Sequence, residues 1–281
     1  MSGVLYLIGV GLSPSQVTQE AINVLKNAGS VFAEEYTSMF ELNLGQFLTS
    51  LIGKPVIMLS RRELEDEGGE ALIRAVKEHG SAALVTIGDP MLATTHSALL
   101  ANAAQMGIKV RVINGVSIVC SAISQAGLSP YKLGPVATVT YERMGVLSTR
   151  AYEVLSSNLG NGLHTLLLLD IKDDGGFMGI DDAVNIMLRI ENETKLGVIT
   201  GDLIAVFESR VGWGDQVIVV GPLINPPNLK APSVIVVPGL LNPVEWEFLK
   251  IVYGVGEELL KRHVNHVKSL LNNPQFSSRL H

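Results

Sequence analysis

Along the first half of this chain, apolar runs too short for anything but strands alternate with segments whose apolar residues recur every three or four positions. VLYLIG (4–9), SVFAEEY (30–36), KPVIML (54–59), SAALVTI (81–87) and IKVRVI (108–113) have the aliphatic content and length of strands. Between them, TQEAINVLKNAG, ELNLGQFLTSLIG, ELEDEGGEALIRAVKEHG and THSALLANAAQMG have helical spacing. Each of these helices ends on a glycine, Gly29, Gly53, Gly80 or Gly107, where a left-handed residue is wanted after the last turn. Strand and helix in strict alternation predict a parallel sheet with helices on its faces, because parallel neighbours need a long crossover.

Residues 114–135 hold a short helix and then a connector containing Gly, Ser and Pro, after which the pattern changes. ATVTY, HTLLLLDI, LIAVFES, DQVIVVG and SVIVVPG read as strands, and helical spacing covers roughly 148–158, 180–194 and 243–261. The expected fold class is α/β, with two α/β domains, 1–116 and 117–264, and a polar, peripheral tail over 265–281. A ligand cleft is expected between the domains, since ligands of open α/β sheets sit beyond the carboxyl ends of the strands.

With 47% hydrophobic and 17% charged residues in 281, the chain has enough apolar material to fill two ordinary domains. No apolar run approaches the ~18 residues of a membrane span. The start, MSGVLYLIGVG, lacks the basic region and cleavage site of a signal peptide, so a cytoplasmic location and no membrane partner are expected. A net charge of −6 without a basic stripe argues against nucleic acid as a partner. The single cysteine, Cys120, cannot form an internal disulfide and is expected as a buried, inert thiol. No Cys or His pairs stand at zinc-ligand spacing, so no metal is expected.

Three glycine turns follow strands in the first half. In IGVGLSPSQVT, Gly9 and Gly11 lie between a strand and a helix, but Pro14 stands where a dinucleotide fingerprint wants its third glycine. Glu34 and Glu35 do end the second strand, where a ribose-binding acid would sit. In TIGDPMLATTH, Gly88 allows close backbone approach, Pro90 stiffens the turn, and Asp89 is held between them. Thr94 or Thr95 is positioned to cap the next helix, whose dipole would favour a negative group near its start. In VINGVSIVCSA, Ser117 follows Asn114 and Gly115 at an N-cap position. Alone, the first reads better as a glycine loop that merely turns, and the second reads equally well as a capped surface turn. Where the three strands are neighbours, three such turns at their carboxyl ends point to one ligand site.

GDPMLATTH, Ser117-Ile118, YKLG (131–134), GLHTLLLLDIK (162–172) and VIVVPGLL (234–241) resemble the archaeal-type diphthine synthases, S-adenosylmethionine-dependent methyltransferases of the tetrapyrrole-methylase fold. The resemblance runs over residues 4–253; GDP alone is shared with the porphyrin and corrin methyltransferases, whereas GDPxxATTH together with GLHTLxLLDIK is specific. It implies two α/β domains of the tetrapyrrole-methylase type, a homodimer, and S-adenosylmethionine, with S-adenosylhomocysteine as product. Its cofactor contacts fall on Leu12, Asp89, Leu92, Ser117, Ile118, Leu169, Val211 and Ser233. Most of these are apolar or small, which suggests that backbone groups do the hydrogen bonding while side chains wall the adenine. Two departures stand out: family members often carry histidine where this chain has Ser233, and an HNASI-like stretch where it has INGVSI. A backbone contact at 233 makes the first swap harmless; an imidazole contact makes it weakening.

By the same resemblance the substrate is a 3-amino-3-carboxypropyl-histidine on translation elongation factor 2, whose amine is methylated in steps to a trimethylammonium, giving diphthine. No His and carboxylate pair marks a general base, and the catalytic residue stays open. Asp170, ending a very apolar strand, needs a partner and could hold the substrate amine. His96 and His164 read as hydrogen-bonded structural groups rather than proton carriers. KDDGG (172–176) and ERMG (142–145) read as solvated turns. The alternatives are a corrin- or porphyrin-type small-molecule methyltransferase of the same fold, and a nicotinamide-dependent or nucleotide-sensing protein.

Overall fold

The computed structural model describes residues 3–172 and 175–271 of the chain. It divides into two compact units, one ending at Ile118 and the other beginning at Val119. Among the described residues no helix is long and apolar enough to cross a membrane.

The first unit is built on β1 (Val4–Gly9), β2 (Ser30–Ala33), β3 (Ile57–Met58), β4 (Ser81–Thr86) and β5 (Lys109–Ile113), all parallel in the order β3-β2-β4-β1-β5. Both faces are covered, as a parallel sheet requires. Leu5, Leu7 and Leu84 pack with α3 (Arg61–Glu65), α4 (Glu70–His79) and α5 (Ser97–Gln105). Ile8, Val31 and Val85 pack with α1 (Gln19–Asn27) and α2 (Leu44–Ile52). Side-chain caps start α1 and α2, where Thr18 and Asn43 accept from the amides of Ala21 and Gln46.

Two expectations change here. The spacing over 63–80 suggests one helix, but Gly68 and Gly69, both at positive φ, break it into α3 and α4. Gly53, Gly80 and Gly107 take the left-handed conformation expected of helix ends, whereas Gly29 does not. A Cβ at Gly29 would lie 2.7 Å from the His79 Cβ and from the Ser81 carbonyl oxygen, so close packing explains that glycine.

The second unit holds β6 (Ala137–Val139), β7 (Thr165–Leu169), β8 (Ile204–Ser209), β9 (Val217–Pro222) and β10 (Ser233–Val237) in the order β6-β7-β10-β8-β9. Only β6 and β7 pair in parallel; the other neighbours are antiparallel. Its helices are α7 (Arg150–Gly160), α8 (Ile180–Thr194), α9 (Pro243–Val252) and α10 (Glu257–Leu271), while α6 (Ile118–Gln125) starts at the boundary. The single helix expected over 243–261 is split by Gly254 and Gly256, the former at positive φ. Residues 265–271, expected as peripheral, continue α10. Leu260, His263, Val267 and Leu270 recur at helical spacing and are buried, which fixes this stretch to the unit. Residues 272–281 lie outside the described residues.

Phe207 and Ala205 enter the core of the second unit with Leu167 and Ile235, so Glu208 lies on the opposite face of the sheet, beside its partners Val234 and Ile218. It is fully buried, and neither carboxyl oxygen has a hydrogen-bond partner. Burial pushes its pKa up to about 9. The unfolded chain releases this proton near the ordinary value of 4.5, so stability falls as pH rises between the two values. Glu208→Leu is expected to be more stable than the parent in urea unfolding at neutral pH. Its advantage should grow by about 3 kcal/mol from pH 4.5 to pH 7, the work of keeping one buried acid protonated. A pH-independent difference would show that Glu208 ionises freely.

Candidate active site

The three glycine turns leave the carboxyl ends of β4, β1 and β5, which are adjacent in the sheet. Gly11 and Gly88 exchange both backbone hydrogen bonds, at 3.2 and 2.9 Å, tying the first two turns into a short antiparallel bridge beyond the parallel ladder. Both take positive φ, 74° and 77°. The third turn packs against this bridge through Gly115, where a Cβ would lie 2.8 Å from the Gly11 amide nitrogen. Leu12 and Ser117 are buried at this edge, while Met91, Leu92 and Val116 leave apolar surface exposed around it.

Asp89 is 6% exposed and belongs to two of the turns. One oxygen accepts the Met91 amide at 2.9 Å, the local turn that aspartate favours; the other accepts the Asn114 side-chain amide at 2.9 Å. A carboxylate offers about four lone-pair sites, so acceptor capacity is left for a ligand. The expected helix cap is corrected. The helix begins at Ser97, with no side-chain cap. The Thr94 hydroxyl instead donates to the Pro90 carbonyl at 2.7 Å and that of Thr95 to Glu65 at 3.1 Å. Asp89 is therefore held by its turn and by Asn114, not by helix capping.

The second-unit positions share one edge of their own sheet. Leu169 ends β7, Ser233 begins the antiparallel β10 and pairs with Ser209 at the end of β8, and Val211 follows two residues on. Arg210 takes positive φ, 53°, and fastens this turn: its amide donates to the Pro232 carbonyl at 2.8 Å and its Nε to that of Ala231 at 3.0 Å. The Ser233 hydroxyl donates to the Lys230 carbonyl at 2.8 Å, within its own loop. Asp170 has its partners inside the chain: the amides of Tyr141 and Ile171, at 3.0 and 2.9 Å, and Arg143, at 3.3 Å. Its carboxylate anchors the β6 and β7 loops. In the neighbouring KDDGG stretch, Asp173 and Asp174 lie outside the described residues.

His164 is a hydrogen-bonded structural group. Its Nδ1 accepts the Gly239 amide at 2.8 Å, so the proton sits on Nε2, which faces Glu245 at 3.0 Å. Glu245, 2% exposed, also accepts from Lys132 and from the amides of Ser129 and Asn242. Burial alone would raise its pKa, but the Lys132 ammonium, these amides and His164 bring it down to about 2. His96 differs: it is buried, yet neither ring nitrogen makes a hydrogen bond.

Cys120 is exposed, which corrects the expectation of a buried thiol; it lies in the first turn of the short α6, whose buried residues are Ala122 and Ile123. Glu34 spends its carboxylate on the amides of Tyr36 and Thr37 and on the Thr37 hydroxyl, within its own loop. That leaves a ribose-binding acid without support at this position. Residue spacing carried no warning of Asn114 as the partner of Asp89, or of Glu208. The legible sign of Glu208 was one carboxylate inside IAVFES.

The family model for Tetrapyrrole (Corrin/Porphyrin) Methylases matches residues 4–226. A diphthine synthase of Pyrobaculum calidifontis is 46% identical over 250 residues, covering 88% of this chain and 98% of that protein. A diphthine synthase of Methanopyrus kandleri is 38% identical over 226 residues, covering 79% and 83%. A crystal structure of diphthine synthase superposes with a TM-score of 0.82 at 31% identity, covering 92% of this chain and 99% of that one. The chain thus belongs to the tetrapyrrole methylase family, and its sequence and fold group it there with the diphthine synthases.

Proposed function

We propose that this protein is a diphthine synthase that transfers methyl groups from S-adenosylmethionine to the amine of a 3-amino-3-carboxypropyl-histidine on translation elongation factor 2, in steps up to the trimethylammonium. The observation that carries this reading is the 46% identity to a diphthine synthase over 88% of the chain. Small corrin or porphyrin substrates are not favoured, because curated relatives over this length are diphthine synthases. The working form is a homodimer in the cytoplasm, and the exposed apolar stripe Val244, Ile251 and Val252 on α9 suits burial against a second copy.

The turns of the first unit suit the cofactor. A Cβ at Gly88 would meet nothing nearer than 3.8 Å, so its backbone stands open, beside a buried carboxylate with spare acceptor sites and the apolar Leu12. S-adenosylmethionine supplies an electrophilic sulfonium methyl when bound. Leu12, Asp89, Leu92, Ser117 and Ile118 from the first unit, and Leu169, Val211 and Ser233 from the second, are the residues proposed to hold it. Asp89 takes a hydrogen-bond donor of the ligand, the small and apolar positions wall it, and the stiff turns fix the direction along which the amine approaches. Such positioning is the largest contribution a protein can make to a displacement of this kind. Asp170 is bound up in its loop, so it is not proposed as the proton acceptor. Incubation with elongation factor 2 carrying the precursor side chain, followed by mass spectrometry, should show successive methyl additions; an unchanged mass rejects the reading.

Asp89→Ala is expected to weaken S-adenosylmethionine binding by about 1–3 kcal/mol, the range for a lost charge-assisted hydrogen bond, with circular dichroism unchanged. Unaltered affinity in calorimetry would remove Asp89 from the site. At Ser233, the hydroxyl's bond to Lys230 supports contact through the backbone, so both Ser233→Ala and Ser233→His should change affinity by less than about 0.5 kcal/mol. Should alanine bind much more weakly while histidine binds as well or better, the contact is through the side chain.

A further inference from the structure

Between Asp89 and α5 the chain carries two features that stability alone does not favour. Ala93 is a non-glycine residue in the left-handed region, at φ 59°. His96 is 3% exposed with both ring nitrogens shut off from water and without a hydrogen bond. Burial pushes the imidazole pKa down, against weaker pulls from the Pro90 carbonyl and Glu65, so the ring is neutral at physiological pH, with one N–H and one bare nitrogen. An apolar ring would fill the same space without leaving polar atoms unmet. The Pro90 carbonyl accepts the Thr94 hydroxyl at 2.7 Å and is near enough to pull on the ring with its other lone pair, but no ring nitrogen is aligned on it.

Both features fall on the segment that begins with Asp89 and contains Leu92. Backbone strain and unmet buried polar groups persist where a segment has a second arrangement to adopt, and they gather at ligand clamps. His164 shows the contrast: its two nitrogens are fully used, and it lies outside the three turns.

We propose that His96 is a positioning residue for methyl transfer: on cofactor binding, the ring N–H swings into line with the Pro90 carbonyl, which accepts it on its second lone pair beside the Thr94 hydroxyl, and this bond fixes Asp89 and Leu92 against the ligand. The inference rests on the reading that these turns hold S-adenosylmethionine. It assigns His96 no proton transfer. Its hydrogen bond is aligned in the occupied state and misaligned in the free one.

Three proteins decide it: the parent, His96→Phe, which keeps a ring without donors, and His96→Asn, which keeps a donor. Free His96→Phe should melt no lower than the parent, since it loses no hydrogen bond, yet bind S-adenosylmethionine about tenfold more weakly, the worth of one hydrogen bond. His96→Asn should recover part of that loss. In the parent, the His96 ring nitrogen signals, assigned by their absence from His96→Phe, should shift when S-adenosylhomocysteine is added. Parent-like affinity in His96→Phe, or ring signals indifferent to the ligand, overturns the proposal whatever the variants' stability. If the parent itself binds neither compound, the cofactor reading of the turns falls, and the role of His96 with it.

Discussion

The site depends on backbone touching backbone. The turns after β1, β4 and β5 meet because Gly9 and Gly115 carry nothing that would hold them apart, while Gly11 and Gly88 supply the positive φ that their turns need. A Cβ at Gly9 would sit 2.7 Å from the Gly115 amide nitrogen, and one at Gly115 would sit 2.7 Å from the Gly9 carbonyl carbon. Neither place tolerates even a methyl group without moving main chain. Once the glycines let the strands' ends close in, the Gly11 and Gly88 bridge can form, and Asp89 comes within reach of Asn114. Sheet order does the rest, because β1 lies between β4 and β5. The outcome is a patch of main-chain polar groups with one carboxylate, assembled by a parallel sheet at the end where such sheets offer their ligand sites.

Buried polar groups in this protein fall into two kinds. Glu245, Lys132, His164, Gly239 and His263 form a chain in which nearly every donor meets an acceptor, joining the start of β7, the loop before α9 and the middle of α10. Networks satisfied in this way stiffen the elements they join. Glu208 and His96 are the opposite kind, buried without an aligned hydrogen bond. In the sheet of the second unit this leaves a neutral acid; at the start of α5 it leaves an idle imidazole.

Much of the fold was legible because period and length agree. VLYLIG gave β1 to the residue, 180–194 gave α8, and strict alternation gave a parallel first sheet. The misses have local causes. Helical spacing ran through Gly68 and Gly69, and again through Gly254 and Gly256, since apolar periodicity does not register a pair of glycines that redirects the chain. Cys120 shares α6 with buried residues, but a helix of eight residues has more than one face, and composition does not say which way a single position looks. The glycine turns were visible as three separate motifs. Their contact was not, because it runs through main chain and one Asp–Asn bond between residues far apart along the chain.

The two sheets also differ in when they can be finished. In the first unit every strand precedes residue 114, and β1, an interior strand paired with both β4 and β5, is the first of them to leave the ribosome. In the second, β10 is the last strand made, yet it separates β7 from β8. Until residues 233–237 arrive, the edges of β7 and β8 that will face it stay unpaired, and both strands are apolar. The first unit can therefore close during synthesis, whereas the second must keep two adhesive edges apart until β10 has been made. Such edges are where nascent chains aggregate. The same topology makes residues up to Val237 indispensable to any truncated form, because cutting earlier removes the strand that holds the sheet together.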